Sequence, residues 1–493
     1  MRFSSSIIIA YEYKKLLINL IQSIIDTNLF CLLSRRKNSW WIQRKSQLDR
    51  KEFFMTNHHS IFKTFMQYVS FHVFGMIGLS CYILADTFFI AQALGTDGLT
   101  ALNIAIPVYS LIHGMGLMIG TGSAIQYCIS HSKQQQYQAN QTFTNAIQFG
   151  LLVGVVFVII GLLGAKQISS LLGADHIVHQ MTTIYLRFIL LFAPMFLINN
   201  ILLNFTRNDK NPRLAMFAML GGSLSNIVLD YVFLFPCQMG IFGAVLATGL
   251  APIISIGILS IQFVQKQNQF HLIKTRLLFQ NIKRTISLGI SSLIAELSSG
   301  IVIVVFNFII LKLQGNVGVA AYGVIANLSL VVTSIFTGIA QGMQPLISYH
   351  FGCNHTKEVG QARRYAFATA MIISIVVYVI TFLGADTISL WFNKEQDNLF
   401  QEIAIYGLRI YFLAFFCAGP NIIIAMYFSA RNQPKPAFFI SLLRGFIVII
   451  PAAWILSNLF QMTGVWLSFP ISELLVIIIT LLFFKFFPSQ KIH

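Results

Sequence analysis

The most constraining feature of this sequence is a series of about twelve apolar stretches, each roughly 20 residues or longer, between residues 63 and 487. A helix needs about 20 apolar residues to cross the hydrocarbon core of a bilayer, and it satisfies its own backbone hydrogen bonds there. Of the 493 residues, 56% are hydrophobic and only 10% are charged, whereas about a quarter are charged in a soluble domain. The sequence therefore predicts an all-α membrane protein and excludes a soluble globule.

Positive charge is distributed very unequally between the two ends of the predicted spans. We place these spans near 64–92, 98–130, 142–164, 178–206, 213–235, 239–265, 285–313, 317–350, 364–384, 400–430, 436–458 and 462–486. If span 1 starts in the cytoplasm, 17 Lys and Arg residues lie on the cytoplasmic side, Arg207 among them, and three lie on the other side. Such an excess is typical of cytoplasmic loops. We therefore predict a multi-pass membrane protein with both termini in the cytoplasm, and we attribute the net charge of +17 to topology rather than to nucleic-acid binding.

Neither the cysteines nor any nucleotide motif indicates a cofactor. The six cysteines are scattered, with no CxxC pair and no metal-ligand spacing, so neither a disulfide framework nor a zinc site is expected. The sequence contains no GxxxxGK[ST] motif for ATP. If the protein moves a solute uphill, the energy must come from an ion gradient, and the coupling ion would be Na⁺ or H⁺.

The first 54 residues differ from the rest of the chain. The apolar stretch 16–34 is interrupted by polar residues, which makes it a poor signal peptide and a poor span. One interpretation is an amphipathic helix on the inner membrane surface, followed by the basic run 35–37. The interpretation that we favour is that translation starts at Met55, because residues 51–54 can be encoded by a purine-rich ribosome-binding site. We therefore predict that residues 1–54 are a non-native extension, or a disordered or amphipathic one.

An internal duplication relates the two halves of the chain. A constant shift of the sequence against itself aligns Gly95, Gly98, Ala101 and Gly122 with Gly315, Gly318, Ala321 and Gly342. Six spans per repeat is an even number, so both copies insert the same way up and are related by an axis along the membrane normal. The sequence predicts an N-terminal six-helix lobe at 55–265, a basic cytoplasmic linker at 266–284, and a C-terminal six-helix lobe at 285–493.

Four polar residues lie at one predicted depth in the N-terminal lobe, about 10 Å below the outer surface. They are Asp86 in span 1, Asn226 and Asp230 in span 5, and Thr248 in span 6. A charge at mid-membrane costs roughly 2.5–3.5 kcal/mol, so intramembrane carboxylates are functional candidates. An all-oxygen set suits Na⁺, and two neighbouring carboxyls also suit a proton. The alternative is a polar cluster that only locks three helices together.

The second repeat does not preserve this set. The aligned positions are Phe306, Ile450, Trp454 and Ser472. Because both carboxylates are absent, we expect the cation site to be confined to the N-terminal lobe.

The remaining intramembrane polar residues receive weaker assignments. Glu296, near the middle of span 7, is a candidate for binding a cationic substrate, with a protonated structural role as the alternative. Arg444 and Glu473 are expected to neutralise each other as a structural ion pair. His72 and His113 are isolated on apolar helices, and we expect both to pack rather than to carry protons.

Six short stretches of the chain resemble a known family. They are Ala85–Ile90, Thr206–Pro212, Asn226–Phe233, Gly240–Thr248, Gly342–Ser348 and Gly464–Trp466. Together they resemble the multidrug and toxic compound extrusion (MATE) family, particularly its prokaryotic branch named after the DNA-damage-inducible F protein. The resemblance covers essentially residues 60–487. It implies a bacterial cytoplasmic membrane protein with twelve transmembrane helices in two parallel six-helix repeats, forming a V-shaped chamber.

The resemblance also implies a site and an activity. Members of this branch use an Asp in span 1, an Asn and an Asp in span 5, and a Thr in span 6, and Asp86, Asn226, Asp230 and Thr248 fill those places here. The implied activity is export of cationic or amphiphilic compounds in exchange for Na⁺ or H⁺.

We therefore expect a secondary antiporter that works by alternating access and is not an enzyme. Small molecules and membrane lipids would be its partners, nucleic acid would not, and the chain is expected to be a monomer. One alternative is a flippase for lipid-linked oligosaccharides, which would need a groove rich in basic residues. A membrane-embedded enzyme would need His and carboxylate side chains clustered near one interface. A passive channel would show no uphill export.

Overall fold

The computed structural model of the chain describes residues 61–393 and 397–486, with side chains described as far as residue 482. The prediction for residues 1–54 lies outside the described residues. The regular elements within these ranges are helices. The longer ones are Ile61–Ser132, Gln136–Leu171, His179–Asn208, Pro212–Leu234, Gly240–Val264, Phe279–Gly352, Thr356–Leu383, Asn398–Tyr411, Phe415–Ala430 and Ile449–Phe486. Shorter ones are Ala385–Phe392, Pro434–Leu442, the 3₁₀ turn Phe412–Ala414 and the π-helical turn Leu443–Ile447.

Three of the long helices are pairs of spans joined at a sharp bend. The backbone leaves the helical region at Gly95 (φ 65°), at Gly315 (φ 63°) and at Phe460 and Gln461 (φ 52° at Gln461). Nine helical segments of the described chain are long and apolar enough to cross a membrane, and dividing three of them at these bends gives twelve spans. The all-α, twelve-helix prediction is confirmed, and the spans keep the numbers 1 to 12 below.

The backbone repeats itself in the register of the internal duplication. Gly95 and Gly315, which the duplication aligns, both have ψ of −153°. Gln134 and Asn354, which are aligned by the same shift, both turn the chain with positive φ, 62° and 61°. A positive φ is strained for residues with a Cβ atom, so its recurrence at matching turns is what two copies of one ancestral unit would produce.

Several helices extend beyond the apolar cores that defined the predicted spans. Span 3 was predicted at 142–164 but its helix runs from Gln136 to Leu171, and span 9 was predicted from residue 364 but begins at Thr356. Span 7 begins at Phe279, so the end of the predicted linker 266–284 is already helical. Hydrophobicity marks only the part of a helix inside the bilayer core, and the helices continue beyond it through polar turns.

The rest of the linker is an ordered, extended segment that lies along span 3. Its backbone N–H groups at His271, Ile273 and Leu278 donate to side-chain oxygens of span 3, each at 3.1 Å. The acceptors are Asn140, Thr144 and Asn145. These residues recur at helical spacing and therefore share one face of the helix. Polar side chains of span 3 thus accept hydrogen bonds from linker N–H groups, which have no partners in a helix or sheet because the linker forms neither.

The two halves of the chain, residues 61–264 and 279–486, pack together at one end of the bundle. We call this end, at which span 1 begins, the basic end. Span 8 contacts span 1 there through glycine: a Cβ atom at Gly342 would lie 2.8 Å from the Val69 Cα. Spans 2 and 7 are equally close, since a Cβ at Gly289 would lie 1.9 Å from the Met118 carbonyl oxygen. Glycine permits these contacts because it lacks a Cβ atom.

Candidate functional site

The four polar residues predicted to form a cation site come together in the structure. Asp230 and Asn226 are fully buried, Thr248 is 4% exposed and Asp86 is 7% exposed. We call this group the acidic pocket. It lies where spans 1, 5 and 6 meet, inside the N-terminal half.

Small residues allow these three spans to approach one another. Gly75 and Gly78 on span 1 face Met219 and Leu220 of span 5, and a Cβ atom at either glycine would lie within 2.8 Å of those side chains. On the other side of span 5, a Cβ at Gly222 would lie 3.1 Å from a backbone oxygen of span 6. Gly222 lies one helical turn before Asn226, so the close contact and the pocket share one helix face.

Asn226 links the carboxyl group of span 5 to the backbone of span 6. With its amide oriented to satisfy both neighbours, it donates to Asp230 Oδ2 at 3.0 Å and accepts from the Thr248 backbone N–H at 3.2 Å. The Thr248 hydroxyl donates to the Ala244 carbonyl at 3.0 Å, one turn earlier. The geometry of the pocket is therefore determined by hydrogen bonds within and between spans 5 and 6.

The two carboxyl groups face each other across spans 1 and 5. Their side chains are near enough to interact directly. In addition, Asp86 Oδ1 and Asp230 Oδ1 are buried and have no hydrogen-bond partner. Two adjacent buried carboxyl groups cannot both be ionised cheaply, and unsatisfied buried acceptors are costly. A proton between them, or a small cation held by their oxygens, would relieve both penalties.

A cavity of about 330 Å³ lies between the two halves. Both halves line it, and Thr248 belongs to its wall as well as to the acidic pocket. Tyr82, which also lines the cavity, lies one turn before Asp86 and shares a 2.7 Å hydrogen bond with Tyr109. The pocket therefore adjoins the cavity through Thr248.

Glu296 lines the cavity in the C-terminal half, as its prediction as a substrate ligand requires. Its Oε1 lies 3.2 Å from His113 Nδ1 on span 2. His113 therefore packs beside a carboxyl group from the other half of the chain, a neighbour that was not visible at the level of sequence. The carboxyl group is 30% exposed and the imidazole 14%, so both remain accessible from the cavity.

Arg444 and Glu473 also line the cavity and form the expected ion pair. Arg444 Nε donates to Glu473 Oε1 at 2.6 Å, and Asn421 Nδ2 donates to Oε2 at 2.8 Å. Glu473 is 2% exposed and its two carboxyl oxygens each have a partner. The charge of this buried carboxylate is neutralised by an arginine, whereas the neighbour of Glu296 is a histidine.

A cluster at the basic end of the cavity was not found by the sequence analysis. Arg207 was counted among the basic residues of the cytoplasmic side, and its side chain is 2% exposed and lines the cavity. Its Nη1 lies 3.0 and 2.7 Å from the Nδ1 and Nε2 atoms of His72 and can donate only to the ring nitrogen that carries no hydrogen. It also donates to Gln341 Oε1 at 3.2 Å and, through Nη2, to Asn204. We call Arg207, His72, Gln341 and Asn204 the arginine cluster.

His72 is buried, as the prediction of a packing role requires, and it also hydrogen-bonds within this cluster. A signal for this cluster does exist in the sequence, because Asn200, Asn204 and Arg207 recur at helical spacing and form a polar stripe on span 4. The partner on span 8, Gln341, carries no comparable signal.

Comparison with known proteins places the chain in a family. The family model MatE matches residues 72–232 and 291–455. The chain belongs to the MatE family, whose members are transporters and not enzymes. It is a multi-pass membrane protein.

Curated relatives cover most of the chain. The multidrug export protein MepA of Staphylococcus saprophyticus subsp. saprophyticus is 23% identical over 416 residues, which is 84% of this chain and 91% of that protein. The protein of the same name from Staphylococcus haemolyticus is 24% identical over 86% of this chain and 93% of its own length.

Solved structures share the fold. An outward-facing multidrug resistance MATE family transporter of the MOP superfamily superposes with a TM-score of 0.81, at 20% identity, over 86% of this chain and 95% of the other. A MOP superfamily transporter from Pyrococcus furiosus superposes with a TM-score of 0.79, at 21% identity, over the same shares.

Proposed function

We propose that this protein is a secondary antiporter that exports cationic or amphiphilic small molecules in exchange for Na⁺ or H⁺. The relatives named as multidrug export proteins support this activity. The observation that carries the proposal is the position of the acidic pocket, which is buried in one half and shares Thr248 with the wall of a cavity that both halves line.

The pocket is suited to a coupling ion rather than to a structural role. A polar cluster that only locked helices together would have its hydrogen bonds satisfied. Here Asp86 and Asp230 each keep a buried oxygen without a partner, whereas both carboxyl oxygens of Glu473, in the pair with Arg444 to which we assign a structural role, accept hydrogen bonds. Occupation by a cation or proton would therefore change the free energy of this half strongly.

Coupling requires that the ion and the substrate favour different conformations. The cavity is closed at the basic end by contacts between the halves, including the reciprocal amide pair of Asn208 and Gln344 at 3.0 and 3.1 Å and the 2.9 Å bond from Gln126 to Thr285. The excess of Lys and Arg supports a cytoplasmic location for this end and for both termini. The conformation observed here would then not expose the cavity to the cytoplasm.

Thr248 connects the two sites. Its backbone N–H is held by Asn226 in the pocket, and its side chain lines the cavity. Protonation of Asp230, or cation binding to it, would change the charge that Asn226 contacts. Because Asn226 also hydrogen-bonds to Thr248, the effect would pass directly to a residue of the cavity wall. Glu296 provides a negative group in the other half, where a cationic substrate can bind.

The alternatives are less well supported. A flippase for anionic lipid-linked sugars would need several unpaired basic groups in the cavity, but Arg444 is neutralised by Glu473 and Glu296 adds a negative charge. A membrane enzyme would need a cluster of His and carboxylate residues. The described residues bring together no group of three or more His, Cys, Asp or Glu side chains that could hold a metal ion.

Transport by the purified protein in liposomes tests the proposal. Export of a fluorescent organic cation should depend on an imposed Na⁺ or pH gradient, with the two gradients applied separately. Asp230→Asn should abolish gradient-driven export, whereas Asp97→Asn, at an exposed position, should leave it unchanged. Unaltered gradient-driven export by Asp230→Asn would remove the pocket from the mechanism, and export by the wild type that ignores both gradients would rule out an antiporter.

A further inference from the structure

Arg207 is the cationic group of the cavity that lacks an anionic partner among the described residues. Its side chain is 2% exposed and lines the basic end of the cavity. The other cavity arginine, Arg444, is paired with Glu473, and Arg409 elsewhere is paired with Asp386. The acceptors around Arg207 are amide oxygens and an imidazole, all of them neutral or able to be neutral.

The hydrogen bonding of this guanidinium is incomplete. Its two terminal nitrogens donate within the arginine cluster, but its Nε is buried and has no partner. Burying a charged group without a counter-ion costs several kcal/mol, and an unsatisfied N–H adds to this cost. A carboxylate that entered the cavity would provide both the missing charge and the missing acceptor, in the planar geometry that guanidinium binds best.

The equivalent arginine of the second half shows the contrast. Arg431 occupies the turn that corresponds to that of Arg207, with the same Arg-Asn pair, and it is also buried, at 7% exposed. Its guanidinium packs over the rings of Tyr427 and Phe351 and donates to the Tyr427 hydroxyl at 3.0 Å. Arg431 does not line the cavity. The same position therefore serves packing in one half and faces the cavity in the other.

The cavity consequently has a positive and a negative end. Gly114 on span 2 faces Glu296, and Gly120 on the same span faces Asn204 of span 4. Six residues of helix correspond to about 9 Å, and Arg207 lies almost one turn beyond Asn204, so the two charged groups are roughly 10 Å or more apart. This separation suits a molecule that carries a cationic group and a carboxylate at opposite ends.

We propose that the arginine cluster binds the carboxylate of zwitterionic amphiphiles, whose cationic group lies towards Glu296. This inference rests on the proposed export function, since it names a class of substrate for the same cavity. Arg207 is then a specificity-determining residue. It would contribute little to the binding of simple cations. To the binding of zwitterions it would contribute a charge-assisted hydrogen bond.

A matched pair of dyes separates these two classes. We choose a rhodamine with a free carboxylate and its methyl ester, which share the cationic ring system. The dissociation constant of each would be measured by fluorescence polarisation with the full-length protein in lipid nanodiscs. A charge-assisted hydrogen bond changes affinity by about 10-fold or more, so the wild type should bind the acid about 10-fold more tightly than the ester. Arg207→Gln should remove this preference and change the affinity for the ester by less than about twofold.

Two further variants control for damage to the fold. Arg207→Lys keeps the charge and should retain part of the preference for the acid, whereas Arg431→Gln should leave the ratio of the two affinities unchanged. An equal loss of affinity for both dyes in Arg207→Gln would show that the cluster only holds the halves together and would overturn the proposal.

The wild type alone also decides the proposal, because equal affinities for acid and ester would overturn it even if every variant failed to fold. The export function fails in a different way, through the absence of gradient-driven transport of the ester, and that result is independent of the affinity ratio.

Discussion

A close approach of backbone to backbone between the two halves makes a single added methyl group a strong perturbation. Gly289 on span 7 faces span 2, and a Cβ atom there would lie 1.9 Å from the Met118 carbonyl oxygen. Gly122 meets span 7 in the same way, with 2.0 Å to the Thr285 carbonyl oxygen. Real Cβ atoms essentially never approach closer than 3.0 Å. Gly289→Ala must therefore push backbone against backbone by more than an ångström, and neither partner can rotate away as a side chain would.

The cost of this overlap falls on one conformation. Overpacking of this kind costs about 1–3 kcal/mol. Because the contact joins the halves at the basic end, a conformation open at that end would not suffer the overlap. The equilibrium should shift towards the open form by that free energy, which corresponds to about 5- to 150-fold in population.

Distance measurements between spin labels would detect the shift. Gln135 and Lys357 are exposed at the basic end, one in each half, and would be replaced by cysteine in an otherwise cysteine-free protein. Gly289→Ala should increase the fraction of molecules with a long distance between these labels. Gly323→Ala, where a Cβ atom would meet nothing within 4 Å, should leave the distribution unchanged. An unchanged distribution in Gly289→Ala would refute the idea that this contact closes the basic end.

Three further predictions concern stability. Burial raises the pKa of Asp209, just after span 4, from 3.8 to about 7, despite hydrogen bonds from a backbone N–H and a tyrosine hydroxyl. A carboxyl group with a raised folded-state pKa binds protons more tightly when folded, so the free energy of unfolding should fall as the pH rises from 3.8 to about 7. Asp209→Asn should remove that part of the pH dependence in thermal unfolding, and an identical slope in both proteins would contradict the assignment. Glu473→Gln and Arg444→Gln should each lower the free energy of unfolding. The loss in the double variant should be smaller than the sum of the two single losses by about 1–3 kcal/mol. Additive losses in chemical denaturation would show that the two residues are not coupled. Gly95→Ala should cost about 1–2 kcal/mol, because φ is 65° and nothing lies within 4 Å, so that only backbone strain contributes; Gly257→Ala, in open space without positive φ, is the control, and equal stabilities of the two variants would argue against strain.

Much of the architecture was predictable from the sequence because bilayer physics leaves few choices. Each apolar stretch had to become a helix, so twelve spans and their order followed directly. The bends at Gly95 and Gly315 matched predicted loops between spans. The helix ends did not follow from hydropathy, because polar turns outside the bilayer core continue the same helices, as at Gln136 and Thr356.

The candidate site was predictable where its residues are ionisable, because placing such a side chain inside a membrane costs free energy. Asp86 and Asp230 were identified because ionisable residues within apolar spans are rare and usually functional. Their common depth predicted the pocket in which they meet. Contacts between the halves were not predictable, because they join residues far apart in sequence. Thus the sequence singles out Glu296 and His113 but not their contact, and it indicates a charge on the cytoplasmic side at Arg207 but not its burial in the cavity.

Ion movement driven by substrate would show directly whether the acidic pocket couples the two fluxes. Coupling is reciprocal, so a downhill gradient of a fluorescent organic cation across proteoliposomes, with no ion gradient and the membrane potential clamped at zero, should drive Na⁺ or H⁺ the opposite way. The wild type and Asp97→Asn should show this counter-flow of Na⁺ or H⁺, and Asp230→Asn should lose it. Substrate movement in the wild type without any counter-flow of either ion, or a full counter-flow in Asp230→Asn, would contradict the claim that the acidic pocket couples the two.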